Sequence, residues 1–505
     1  MPIWKQFFSP IRTMILIGLL LGLAAPGYGL WPLTWVALIP ALQACQTQPR
    51  AKLRFGYGFC VGALFAGLYY LWFFDLHPLA WLGFGELESR LITLAGWLLL
   101  MAETALIFGL LFALYGRLKA GWQRVILFPA LWVLAFALLN LTPMALPWAQ
   151  LEYTQAAIWP LRYVASILSG SGLAGLIVLH NCFWAEGEAL VQVFRRAFKQ
   201  NEPLYKLIGA LVFPMLIGLI ALQPEPQWNH RPWPIPVAVI QGNLPIETIR
   251  SGALDRETIE RSYIQPLRKV NWPAGTLLVY PEEGVAPGWT PVKSPYKNRM
   301  MFELMALARQ RHLYIAVGVS SKGAQGQKHN SLAIITPDEA VLPEKSVQFY
   351  HKRRLVPFGE FTPYGLGDAL TKMLASLNVD YTTPYDAGIN SPLLQAGKAK
   401  IGGLICFELI DSAPGFGGFA RQYQQQGANL LINSSNLGWF HQNPLLEAQF
   451  LAIGQLRATE TGLPLVISSN TGISAIISGQ GQILQQTHPN RENEAKSQVI
   501  FYNGK

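Results

Sequence analysis

Long apolar runs dominate the chain as far as about residue 225, and beyond it apolar residues come in short runs set between polar stretches. Seven segments of the first part (13–25, 30–45, 55–74, 91–115, 125–141, 163–184 and 207–222) approach the roughly 20 apolar residues that a helix needs to cross hydrocarbon. This predicts an α-helical polytopic membrane domain of about seven transmembrane helices over 1–225. The first two runs are short and flanked by Gly and Pro, so their limits are the softest. Lys5 and Arg12 before the first run imitate a signal peptide, but six further runs favour a first membrane helix.

In the second part, β-rich runs recur at 237–240, 276–280, 313–319, 331–336, 347–350, 400–405, 428–432 and 465–468. Helical patterns lie between several of them, at 254–270, 296–312, 416–427 and 445–461. Continuously apolar strands alternating with helices predict a layered α/β domain with a buried sheet over 237–505. No internal repeat is visible. Between the two parts, residues 226–236 are rich in Pro and Trp and read as a stiff connector at the membrane interface.

Composition agrees with a chain partly in lipid, being 51% hydrophobic and only 13% charged over 505 residues. The net charge of +10 would suggest nucleic acid if the basic residues formed a patch, but in the first part they punctuate the apolar runs. Arg50, Lys52 and Arg54, then Arg117, Lys119 and Arg124, then Arg195, Arg196, Lys199 and Lys206 occupy alternate connections. The intervening ones are poor in positive charge, with Asp75, Glu86 and Glu88 outweighing Arg90. By the positive-inside rule the N-terminus is cytoplasmic, and an odd number of spans leaves the α/β domain extracytoplasmic. No nucleic-acid partner is expected. Four cysteines are too few and too scattered for a disulfide framework or a zinc site, so no metal and no cofactor are expected. Cys45, Cys60 and Cys182 accompany apolar runs and read as small buried hydrophobes. Cys406 alone lies in the globular part.

Ligand chemistry in layered α/β folds gathers where strands end. One apolar run ends in Pro281, Glu282 and Glu283, another leads into His351 and Lys352, and a third ends at Cys406. A carboxylate, an ammonium and a thiol make an acyl-transfer set of base, oxyanion-stabilising cation and nucleophile. Each alone has an ordinary explanation as solvated or core residue; their surroundings change that.

Thr276-Leu-Leu-Val-Tyr-Pro-Glu282, Tyr350-His-Lys352-Arg-Arg-Leu-Val-Pro-Phe-Gly-Glu360 and Leu404-Ile-Cys406-Phe-Glu408 resemble three segments of the nitrilase-like carbon–nitrogen hydrolases, and within them those of the apolipoprotein N-acyltransferases. Val239-Ile-Gln241-Gly-Asn243, Asn433-Ser-Ser-Asn436-Leu-Gly-Trp439 and Arg457-Ala-Thr-Glu460 resemble others. The resemblance implies an α-β-β-α sandwich on the periplasmic side of the bacterial cytoplasmic (inner) membrane. It also implies Cys406 as nucleophile, Glu282 as base, Lys352 as the cation, and Glu360 and Glu408 as supporting residues. The expected reaction passes an acyl chain from a membrane phospholipid, through a thioester, to the N-terminal amine of a diacylated apolipoprotein. A membrane-tethered amidase using water as acceptor is the alternative. Counting back from Pro287 by the family's spacing would make Glu283 the base; the Pro-Glu step at the strand end favours Glu282. Phe407 stands where a tyrosine is common in the family.

Overall fold

The structure is a computed structural model describing residues 9–142, 146–187, 202–225, 233–250, 256–282, 299–323, 325–337, 347–365, 367, 371–372, 385–411, 418–488 and 497–504. It divides into a helical unit, reaching to Gln227 apart from Asp75–Arg90, and an α/β unit comprising that segment and most of the chain from Trp228 on.

The helical unit contains α1 (Pro10–Gly22), α2 (Leu38–Thr47), α3 (Ala51–Tyr69), α4 (Glu86–Tyr115, whose first turn belongs to the other unit), α5 (Trp122–Leu139), α6 (Trp159–Ala185) and α7 (Glu202–Ala221). Among the described residues, α4, α5 and α6 are long and apolar enough to cross a membrane. The run 30–45 is not one continuous helix. It breaks into a 3-10 turn, Trp31–Trp35, and the short α2, with Pro32 and Pro40 each in a first turn. There the missing N–H costs nothing, but neither proline can follow a preceding helical turn. Small residues bring α3 against α4: a Cβ on Gly58 would lie 2.2 Å from the Phe108 carbonyl, and one on Gly62 would lie 2.8 Å from Phe108 Cβ. Glu186, at the end of α6, accepts from Gln46 (2.5 Å), Tyr115 (2.8 Å), the Gly121 amide (2.8 Å) and Arg124 (3.1 Å), tying four helix ends to one carboxylate.

In the α/β unit two six-stranded sheets are ordered β12-β1-β2-β3-β4-β5 and β11-β10-β9-β8-β7-β6. The strands are β1 (Val237–Gln241), β2 (Leu277–Val279), β3 (Tyr314–Lys322), β4 (Lys328–Ile335), β5 (Val347–His351), β6 (Leu393–Ala396), β7 (Ala399–Ile405), β8 (Leu430–Ser435), β9 (Leu465–Ser469), β10 (Ala475–Ile477), β11 (Ile483–Gln486) and β12 (Gln498–Tyr502). β1, β2 and β3 run parallel, as do β7, β8 and β9; every other pairing is antiparallel. Read from β6 to β11, the second sheet therefore repeats the order and sense of β12 followed by β1 to β5. This repeat in topology has no counterpart in the sequence.

Residues of the inner strands β1, β2, β8 and β9 are buried on both faces. On the first sheet Ala238, Ile240, Leu278, Ile315 and Val317 pack against α8 (Arg299–Arg311) through Met301, Leu304 and Ala308. The opposite faces meet across the sandwich, where Ser434 and Ser468 donate to the carbonyls of Tyr280 and Val279. α9 (Gly418–Gln425) and α10 (Pro444–Thr461) lie on the second sheet. The result is the layered α-β-β-α arrangement expected from the sequence. The helix expected over 254–270 is present among the described residues as one helical run, 256–269, with a π turn, Glu260–Ile264, inside it.

Candidate active site

β7 is buried along most of its length and ends at Ile405, where the chain turns into a 3-10 helix, Cys406–Ile410. Gly402 and Gly403 allow both faces of this strand to be covered closely: a Cβ on Gly402 would stand 2.5 Å from the Tyr423 ring, and one on Gly403 would stand 3.2 Å from Leu332 and Tyr350. Cys406 takes the corner at φ +47°, a left-handed conformation that costs a non-glycine residue about 1–2 kcal/mol. Two contacts hold the corner. Asn433 Nδ2 donates to the Cys406 carbonyl (3.1 Å), and Glu408 reaches back to accept the Ile405 amide (2.8 Å).

Glu282 is the third residue beyond β2 and Lys352 directly follows β5, both buried. Lys352 Nζ donates to Oε1 of Glu282 (3.1 Å) and to Oε1 of Glu360 (2.8 Å). Glu360 sits on the tight turn after Val356, whose amide its Oε2 accepts (2.8 Å). Oε2 of Glu282 accepts the Asn436 amide (3.1 Å) just beyond the end of β8, the strand whose Asn433 holds the Cys406 carbonyl. The end of β8 thus holds both the carboxylate and the turn that carries the thiol. Asn330 was not singled out from the sequence. Its side chain donates to Glu282 Oε1 (2.6 Å) and to Glu360 Oε1 (2.9 Å) from a position inside β4. No strand-end signal marks it.

Glu408 stands apart from this cluster. Its carboxylate accepts from the Tyr350 hydroxyl (2.7 Å) and from the amides of Arg353 (2.7 Å) and Arg354 (3.0 Å), joining the turn after Lys352 to the turn carrying Cys406. Burial pushes its carboxyl up, and these donors offset part of that push. Glu283 lies outside the described residues.

Charges set the resting state. Burial would pull the Lys352 ammonium down, but Glu282 and Glu360 outweigh it and hold the group well above its ordinary value. Burial, and after it the Glu282 carboxylate, push the Cys406 thiol above its ordinary range against the pull of Lys352. A nearby lysine and base would be expected to raise the thiolate fraction; here the resting sulfur keeps its proton, because desolvation and two carboxylates outweigh one ammonium. The arrangement suits proton removal during attack rather than a standing thiolate. Among the described residues no group of three or more His, Cys, Asp or Glu side chains is placed to hold a metal ion.

A family model for carbon–nitrogen hydrolases matches residues 237–500, and one for the apolipoprotein N-acyltransferase N-terminal domain matches 17–183. The apolipoprotein N-acyltransferase of Geobacter metallireducens is 30% identical over 496 residues, covering 94% of this chain and 86% of its own. The chain belongs to the apolipoprotein N-acyltransferase family. A second member, from Gloeobacter violaceus, is also 30% identical, over 93% of this chain and 84% of its own. The carbon–nitrogen hydrolase of Helicobacter pylori G27 aligns with 53% of this chain and 87% of its own, at 18% identity and a TM-score of 0.35. As a member of the apolipoprotein N-acyltransferase family the chain is an acyltransferase with an apolar helical N-terminal region and a nitrilase-like domain.

Proposed function

We propose that Cys406 is the nucleophile of a two-step transfer, with Glu282 as its base and Lys352 as the cation facing the oxyanion. In the first step the sulfur attacks the ester carbonyl of a membrane phospholipid. Glu282 takes the thiol proton, the S–C bond forms, and the C–O bond breaks as that proton passes to the departing glycerol oxygen, giving a thioester and a lysophospholipid. In the second step the free N-terminal amine of a diacylglyceryl-cysteine lipoprotein attacks the thioester. C–N forms, C–S breaks, and the amine's proton returns through Glu282 to the sulfur. Lys352, held charged between two carboxylates, offsets the negative charge on each tetrahedral oxygen. Both substrates are lipid-anchored, so reaction at the bilayer surface keeps them concentrated and oriented.

The observation that carries this reading is the end of β8, where the Asn436 amide holds Glu282 Oε2 and Asn433 holds the Cys406 carbonyl, which brings the carboxylate and the thiol's turn to one strand end. The alternation of basic loops supports a multi-pass protein of the bacterial cytoplasmic membrane with the catalytic domain, 237–505, on the periplasmic side, the membrane domain over 1–225, and a connector at 226–236. The deciding experiment is mass spectrometry of the purified protein after exposure to phospholipid, followed by addition of a diacylated lipopeptide. The expected result is an acyl adduct on Cys406 that moves to the peptide amine, and neither event in Cys406→Ala. Adduct formation in Cys406→Ala would sink the assignment, and release as free fatty acid without N-acylation would make water the acceptor. Glu282→Gln and Glu283→Gln, made separately, decide between the two carboxylates.

A further inference from the structure

Two carboxylates share one ammonium in this site, and nothing in the Lys352 contacts alone distinguishes them. Each gives its Oε1 to Lys352 Nζ, at 3.1 Å for Glu282 and 2.8 Å for Glu360. The side-chain amide of Asn330, which is 2% exposed, donates one hydrogen to each of the same two oxygens, at 2.6 and 2.9 Å. The orientation of that amide follows from its neighbours: reversed, its oxygen would face two anions. The Asn330 carbonyl accepts the Lys352 amide (2.8 Å), so one residue fixes the backbone of the cation and both of its partners.

The remaining oxygens differ. Glu360 Oε2 is turned to the Val356 amide of its own tight turn, whereas Glu282 Oε2 meets the Asn436 amide at the end of β8, the strand whose Asn433 holds the Cys406 carbonyl. We infer that Asn330 is a positioning residue for the base: with Lys352 it holds Oε1 of both carboxylates, so that Glu282 keeps its Oε2 at the end of β8, where it receives the thiol proton. The inference rests on the assignment of Cys406 and Glu282 made above. In the acylation step the proton leaves Sγ for Glu282 Oε2 as the S–C bond forms, while Glu360 goes on holding Lys352 Nζ.

The test uses the full-length protein in detergent and follows two rates against pH: alkylation of Cys406 by iodoacetamide, quantified on its own peptide, and acylation of Cys406 from phospholipid vesicles. In Asn330→Ala the ionised form of Glu282 loses a donor. The acidic limb of both profiles should move upward by about one pH unit, and acylation at neutral pH should fall roughly 10- to 100-fold. Asn330→Asp keeps the shape but adds a negative charge, and should move the limb at least as far. A residue needed only for folding would lower the yield of folded protein without moving either limb. Unmoved limbs in folded Asn330→Ala and Asn330→Asp would overturn the inference, and if Ala does not fold the Asp variant alone decides. Failure of the underlying assignment looks different: the wild-type protein would form no adduct on Cys406 from phospholipid, whatever Asn330 does.

Discussion

Glu447, in the first turns of α10, is 5% exposed, and its Oε1 finds no hydrogen-bond partner among the described residues. Burial pushes its carboxyl up to about 7 from an ordinary value of 4.5. A raised carboxyl pKa means that the folded state holds a proton which the unfolded state releases, so stability should fall as pH rises from about 4.5 through 7. The total loss is about 3 kcal/mol by pH 8. Melting temperatures at pH 5 and pH 8 should therefore converge in Glu447→Gln relative to wild type; equal pH slopes in the two proteins would show that the folded carboxyl is ionised. Lys352 works in the opposite sense. In Lys352→Met two buried carboxylates would face each other without their cation, and acyl-enzyme formation by the folded protein should drop about 100-fold or more. A single-turnover acylation assay checks this. The places of Cys406, Glu282 and Lys352 were readable because each ends an apolar run, and that of Glu360 because it lies in a motif. Asn330 and Glu447 were not, since a polar residue within a strand or helix carries no local mark of what tertiary packing brings against it.

At the level of strands and helices, apolar runs located the eight strands named from the sequence. β6, β10, β11 and β12 escaped because they are short or partly polar: β11, for instance, runs Ile483–Gln486 with two exposed glutamines. The run at 30–45 misled for a similar reason, as average hydrophobicity ignores what Pro32 and Pro40 do to a helix. β7 is the element on which the site most depends, and its tolerance is smallest at Gly402. Gly402→Ala should lower the melting temperature by a few degrees, a cost of about 1–3 kcal/mol for forcing Tyr423 aside, and thermal unfolding measures it directly. An unchanged melting temperature would mean that the ring moves freely.

On the scale of the whole molecule, the alternation of basic loops predicts a sidedness that labelling can check. Lys119 and Lys398 are both exposed, one between α4 and α5 and the other between β6 and β7. With the outer membrane permeabilised, a membrane-impermeant maleimide should reach Lys398→Cys in intact cells and Lys119→Cys only after lysis; the reverse would invert the topology. The matched order of the two sheets has a consequence in time. Asn330, Lys352, Glu282 and Glu360 belong to the first half of the repeat, while Cys406, Glu408 and Asn436 belong to the second. A ribosome makes the carboxylates and the ammonium before the thiol, and β12, which completes the first sheet, last of all. Cys406, when it emerges, meets the carboxylate proposed as its base only once the second sheet has closed on the first. On the proposed roles, the reactivity of that thiol marks the joining of the two sheets.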